Sequence, residues 1–170
     1  MIFLGIGSNL SSSYGDRFSN INLAISLLNE YGIKTIKMSS FYETYSHPNI
    51  KDPKFINVVI SVKTQLKPYD LMSKLIYVEE KLERKRHKKN EPRTCDIDII
   101  DYDNQIINFK LDDLNLEIPH KKLIFRNFVL FPMMEVYPKW IHPKTGESIK
   151  ILIKKLPDED RKSILKIKKN

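Results

Sequence analysis

An unbroken apolar run at residues 2–6 gives way to Gly7, Ser8 and Asn9, the pattern of a buried strand that ends in a turn. The period then lengthens. Ile21, Ala24, Ile25, Leu28 and Tyr31 recur at helical spacing, which predicts a helix with Asp16 near its start as a cap and Gly32 as its stop. Residues 33–42 and 55–64 are rich in β-branched and aromatic side chains and read as two strands, joined by a loop over 46–54 that holds proline, asparagine and lysine. Pro68 suits the first turn of a second helix, whose apolar stripe is Leu71, Leu75, Val78 and Leu82. A loop through Asn90 and Pro92 leads to a strand at Ile97 to Tyr102, and Asp103-Asn104-Gln105 reads as a hairpin turn into Ile106 and Ile107.

Strand, helix, strand, strand, helix, strand is the order of an α+β, ferredoxin-like βαββαβ sandwich. The remainder, from His120 through Phe131-Pro132-Met133-Met134 to Lys155, predicts additional C-terminal helices, one or two short ones lying across the sheet. At 170 residues and 41% hydrophobic, the chain is sized for one domain with a real core. It has no internal repeat, glycine-rich linker or low-complexity block. No apolar run approaches the roughly 20 residues that cross a bilayer, and the N-terminus lacks a basic leader and a small-residue cleavage site, so a soluble cytoplasmic protein without a membrane partner is expected. Cys95 is the only cysteine, which excludes an intrachain disulfide and a cysteine-rich zinc site.

A net charge of +8 attracts polyanions without saying which, so the distribution matters more than the total. One share lies between Arg161 and Lys169, where a solvated tail is the simplest reading. The other is Lys81, Arg84, Lys85, Arg86, Lys88, Lys89 and Arg93, interrupted only by Glu83 and Glu91 among the acids, and it runs directly into Asp96 and Asp98. On a strand these two aspartates share a face, with carboxylates about 7 Å apart, while Ile97 and Ile99 face the core. Magnesium commonly takes one or two protein carboxylates and completes its shell with phosphate oxygens of a substrate. A bare Asp-x-Asp is more often a solvated surface pair. Preceded by this basic segment, it fits a metal–triphosphate complex and transfer of a phosphate-type group.

Projected at helical period, Glu79 falls inside the apolar stripe of the second helix, so its carboxylate needs a partner: either an arginine in a structural pair or a nucleotide's polar groups. Phe55 and Asn57 share a strand face, an aromatic plane beside an amide, which suits a flat heterocycle. Pro119-His120, Arg126 and Phe128 supply a second aromatic and two candidate phosphate ligands.

These residues bring the chain to a known pattern. Between about Phe3 and Lys139 it resembles the 6-hydroxymethyl-7,8-dihydropterin pyrophosphokinases of folate biosynthesis. The resemblance is carried by Gly5-Ile6-Gly7-Ser8-Asn9-Leu10, Ser39-Ser40-Phe41-Tyr42-Glu43-Thr44, Phe55-Ile56-Asn57, Glu79 with Leu82, Arg84 and Arg86, Pro92-Arg93-Thr94-Cys95-Asp96-Ile97-Asp98, and Ile118-Pro119-His120 followed by Arg126 and Phe128. It implies a pyrophosphokinase domain over residues 1–158 and a basic C-terminal tail over 159–170. It also implies an ATP-dependent diphosphokinase that moves pyrophosphate to the pterin's hydroxymethyl oxygen and releases AMP, with two Mg²⁺ ions on Asp96 and Asp98. By the same resemblance Arg84 and Arg93 join those aspartates in catalysis. Glu79, Arg86, Arg93, Ile99, His120 and Arg126 contact ATP, while Thr44, Tyr45, Ser46, Phe55, Asn57 and Phe128 hold the pterin. A monomer that binds small molecules and no nucleic acid is expected.

A ferredoxin-like RNA-binding module is the rival reading, but the alternating aromatic, glycine and basic run of such modules is missing and RNA gives Asp96 and Asp98 no task. An inactive relative is disfavoured by the intact acidic pair and Asn57. The chain departs from the family at Lys89-Asn90-Glu91, where Arg-Trp-Gly is usual, and has one residue fewer after Arg86, so the closing arginine and tryptophan are missing and Lys88 or Lys89 is left to supply the charge. Lys121 stands where tyrosine is common. Weaker closure is expected: with both substrates' analogues bound, the loop should exchange amide hydrogens faster than a full-length family loop, and equal protection would refute this.

Overall fold

A computed structural model describes residues 1–85, 91–111 and 114–167; Arg86, Lys88 and Lys89 lie outside them. Along the chain run β1 (Ile2–Ser8), α1 (Arg17–Glu30), β2 (Lys34–Met38), β3 (Tyr42–Thr44), β4 (Phe55–Lys63), α2 (Pro68–Lys81) and β5 (Asp96–Tyr102). There follow β6 (Ile107–Leu111), β7 (Leu114–Ile118), a 3-10 turn at Leu123–Phe125, α3 (Asn127–Val136), α4 (Ile149–Lys155), α5 (Asp158–Lys162) and β8 (Leu165–Lys166). The main sheet has the order β5-β1-β4-β3-β8, with β2 also paired to β4, and every pairing is antiparallel.

Local signals set the helix limits. The Asp16 carboxylate accepts the Ser19 N–H at 2.8 Å and caps α1. Gly32, at φ +77°, ends it: Gly32 N–H donates to Asn29 O and Ile33 N–H to Leu28 O, the paired bonds of a left-handed C-cap. Alternation on the strands then divides the core in two. Ile2, Leu4, Ile6, Ile56, Val58, Ile60, Ile97 and Ile99 pack with α1 and α2, while Phe3, Val59 and Ile100 pack with α3 and α4 on the other face.

Two departures from expectation have physical causes. The strand expected over 33–42 is broken into β2 and β3. Ser39 bridges the gap, its N–H donating to Val59 O at 3.0 Å and its Oγ accepting the Val59 N–H at 3.1 Å. The turn at Asp103 and Asn104 forms, both residues at positive φ, yet β6 does not return along β5 and pairs with β7 instead. The outer edge of β5 accepts the His120 N–H at Ile100 O, 3.1 Å away. Between His120 and Lys155 the two expected helices form as α3 and α4, preceded by the 3-10 turn, and α5 follows beyond them. Within residues 159–170, β8 pairs with β3, and Lys166 reaches Glu135 of α3 at 3.3 Å.

A β-bulge between Phe3 and Leu4 of β1, opposite Ile100 of β5, turns Asp101 toward α3 and α4. There its carboxylate is 0% exposed and accepts the Trp140 indole N–H at 2.7 Å. Burial pushes this carboxyl up in pKa, against the pull of the indole. The folded chain therefore holds the proton to higher pH than the unfolded chain, and this group's share of stability declines as pH rises through the folded value. Trp140→Phe should cost roughly 1–3 kcal/mol by urea unfolding, and Asp101→Asn should flatten the pH dependence over that window.

Candidate active site

Four strands lay one row of residues across the sheet face that α3 partly covers. Gly7 pairs with Asp96 on one side and Asn57 on the other, and Asn57 pairs in turn with Tyr42. One step along, Gly5 separates Asp98 from Val59. The two glycines form a floor: a Cβ on Gly7 would stand 3.0 Å from Asn57 Oδ1 and 3.5 Å from the Phe55 ring. Only a residue without a side chain leaves the acidic pair and the amide facing the same open space.

The carboxylates are matched by arginines. Arg84 Nη1 donates to both Glu79 Oε1 and Asp96 Oδ1 at 2.5 Å, and Arg93 Nη2 lies 2.8 Å from Asp96 Oδ2. Arg126 Nη1 donates to Asp98 Oδ2 at 2.9 Å. Burial alone would raise the Asp96 pKa, but Arg84 and Arg93 outweigh it and hold it below the ordinary carboxylate value. Glu79, 1% exposed, also accepts the Ile97 N–H at 2.6 Å, so the α2 carboxylate meets the start of β5. Of the two readings its position allowed, the arginine pair is present.

The same guanidinium groups lie over the aromatic planes. Arg93 is 5.0 Å from the Phe55 ring centroid and Arg126 is 5.4 Å from that of Phe128. Asn57 Nδ2 donates to Thr44 Oγ1 at 3.0 Å. Ser46 is buried and turned inward, its Oγ donating to Pro53 O at 2.6 Å, whereas Tyr45 is exposed beneath Lys54. His120 is held beside Asp98 by its backbone bond to β5, and burial lowers its pKa despite the nearby aspartates. It lines a cavity of about 100 Å³ with Asp98, Ile99, Met72, Phe109 and Lys121.

Asp98, Ile99 and His120 of this cavity are among the expected site residues, whereas Phe109 comes to it from β6, which pairs with β7 rather than β5. Asn9 is a further residue of the site. Asn9 is buried, accepts the Arg93 N–H at 2.7 Å and donates to Pro53 O at 3.0 Å, tying three loops together. The readable signal was the Gly5-Ile6-Gly7 alternation leading to it.

Among the described residues no three or more His, Cys, Asp or Glu side chains converge on a metal position. Two carboxylates on an open face, each already opposite a cation, fit magnesium that draws its remaining ligands from phosphate and water, and they do not fit a closed zinc site. Carboxylates, guanidinium groups and aromatic planes thus share one sheet face. The profile of the 7,8-dihydro-6-hydroxymethylpterin-pyrophosphokinase family matches residues 3–138, and the chain belongs to that family.

It is 38% identical over 142 residues to the 2-amino-4-hydroxy-6-hydroxymethyldihydropteridine pyrophosphokinase of Aquifex aeolicus, covering 84% of this chain and 83% of that one. It is 35% identical to the folic acid synthesis protein fol1 of Pneumocystis carinii, covering 96% of this chain but only 21% of that longer one. A crystal structure of a Plasmodium falciparum HPPK-DHPS triple mutant with pteroate superposes with a TM-score of 0.76 at 15% identity, over 98% of this chain and 46% of that chain, a likeness of fold. No helix among the described residues is long and apolar enough to cross a membrane.

Gly7→Ala should displace the Asn57 amide from Thr44 at a cost of about 1 kcal/mol. Thermal unfolding and the Asn57 side-chain amide signals in NMR check this; an unmoved amide would refute the glycine floor.

Proposed function

We propose that this chain transfers pyrophosphate from ATP to the hydroxymethyl oxygen of 6-hydroxymethyl-7,8-dihydropterin in folate biosynthesis. The observation that carries the reading is the shared face of Asp96 and Asp98 beside Asn57, floored by Gly5 and Gly7 and ringed by Arg84, Arg93 and Arg126. The pterin hydroxyl oxygen attacks the β-phosphorus of ATP. The bond from that phosphorus to the oxygen bridging the α-phosphate breaks, AMP leaves, and the hydroxyl proton is lost to solvent or phosphate.

Before ligands arrive, arginines stand on the carboxylates and aromatic rings that the ligands would use. Arriving phosphates draw Arg84, Arg93 and Arg126 off Asp96 and Asp98, because each guanidinium gains a more highly charged acceptor. The freed carboxylates would hold two magnesium ions, whose chemistry is to neutralise the phosphate charge and align the β-phosphorus. Phe55 and Phe128, uncovered by the same movement, take the pterin between them, with Asn57 and the segment Thr44 to Ser46 reading its edge. Arg86, Arg93, His120 and Arg126 contact ATP, Glu79 acts on it through Arg84, and the cavity at Ile99 and His120 receives its nucleoside end.

A ferredoxin-like sandwich is part of the proposal: with β2 and β3 counted as one interrupted strand, the order of elements is βαββαβ and β1 lies between β5 and β4, which supports that reading. A monomer in a reducing compartment is also part of the proposal; the buried Cys95 thiol is not accessible for a disulfide between chains.

Protein, ATP, Mg²⁺ and the hydroxymethyl-dihydropterin should together release AMP, and AMP without pterin dependence would end the proposal. Asp98→Ala should abolish turnover with the circular dichroism spectrum unchanged; most activity surviving at saturating Mg²⁺ would remove the pair from the mechanism.

A further inference from the structure

The end of α2 carries a residue that its backbone disfavours. Glu83 sits at φ +63°, where its N–H donates to Glu80 O at 3.0 Å and the Arg84 N–H donates to Glu79 O at 3.1 Å. These are the two bonds of a left-handed helix cap, a position at which glycine is the relaxed residue and a long side chain is strained. The Glu83 carboxylate is engaged across the chain: Oε2 accepts the Ser13 N–H at 3.1 Å and Oε1 accepts the Ser13 hydroxyl. These bonds hold the carboxyl below its ordinary pKa.

The loop that Glu83 grips is itself fixed. Ser12 and Gly15 exchange backbone hydrogen bonds at 2.9 and 3.2 Å, the Ser12 hydroxyl donates to Asn20 Oδ1 at 2.6 Å, and Asn20 Nδ2 donates to Leu10 O at 2.9 Å. At the loop's start, the Asn9 and Leu10 N–H groups both donate to Arg93 O, at 3.1 and 3.2 Å. One small loop therefore anchors Arg93 at one end and the residue before Arg84 at the other. Those are the two arginines that meet on Asp96.

We propose that Glu83 is a positioning residue, a latch to Ser13 that fixes the direction in which Arg84 leaves the helix and so delivers its guanidinium to the transferred phosphates. The latch gives a left-handed glutamate a use that glycine could not supply. Its kinetic readout rests on the pyrophosphokinase reading above; its structural readout does not.

Steady-state AMP release would be compared for the parent chain, Glu83→Gly, Glu83→Gln and Ser13→Ala, with Glu83→Gly also placed in an Arg84→Ala background. Glu83→Gly should melt no lower than the parent, since glycine relaxes the cap, while its kcat falls about tenfold and both KM values move much less. Glu83→Gln, which keeps one acceptor, should recover most of that loss, and Ser13→Ala should show a smaller one. In the Arg84→Ala background, Glu83→Gly should add nothing further. An unchanged kcat in Glu83→Gly, or a full additional loss in the absence of Arg84, would overturn the latch. A parent chain without pterin-dependent AMP release would instead overturn the reaction, and the latch is then judged by NMR of the ligand-free protein. Arg84 guanidinium N–H signals should exchange slowly in the parent and fast in Glu83→Gly; equal rates would overturn it.

Discussion

Taking a carboxylate out of water costs several kcal/mol unless hydrogen bonds and a counter-charge replace its hydration. Glu79 lies in the apolar stripe of α2 and obtains both, from the Ile97 N–H and from Arg84. The first contact holds the helix against the start of β5. The second draws Arg84 across to Asp96, so the requirement to satisfy one buried charge also assembles the basic side of the site. Packing of Leu71, Leu75 and Val78 in the same core keeps that carboxylate from turning out to solvent.

The face above it is built by omission. Gly5 and Gly7 give β1 no side chains at the two rows where carboxylates and amide must face a ligand, and the flanking strands then supply Asp96, Asp98 and Asn57. On the reverse face, the Ile2, Leu4 and Ile6 side chains bury against α1 and α2 and lock the register. A one-residue slip of β1 would turn Ile2, Leu4 and Ile6 onto the ligand face and Gly5 and Gly7 into the core. Function and core thus constrain the same strand from opposite sides.

Ion pairing gives the ligand-free site a defined resting arrangement. Guanidinium groups neutralise Asp96 and Asp98 and cover Phe55 and Phe128, so neither bare like charges nor open apolar rings face water. Partial exposure keeps these pairs exchangeable, and a polyphosphate offers the arginines a stronger acceptor. The anchoring of Arg93 by Asn9 and Leu10 means that such exchange moves side chains over a fixed backbone.

Much of this was legible in the chain alone, because strand alternation and helical period are local. Asp16 and Gly32 bounded α1, Pro68 opened α2, Asp96 and Asp98 had to share a face, and Glu79 had to find a partner. The order of motifs also identified the family. What the sequence could not determine was contact between segments far apart along it. The break at Ser39, the loss of the expected β5–β6 pairing to the His120 bond, and the seating of β8 on β3 depend on which of several hydrogen-bonding edges meet in space. The acidic pair was determined by spacing of two residues; the arginines standing on it, and the left-handed Glu83 that aims one of them, were decided only when three loops folded against each other.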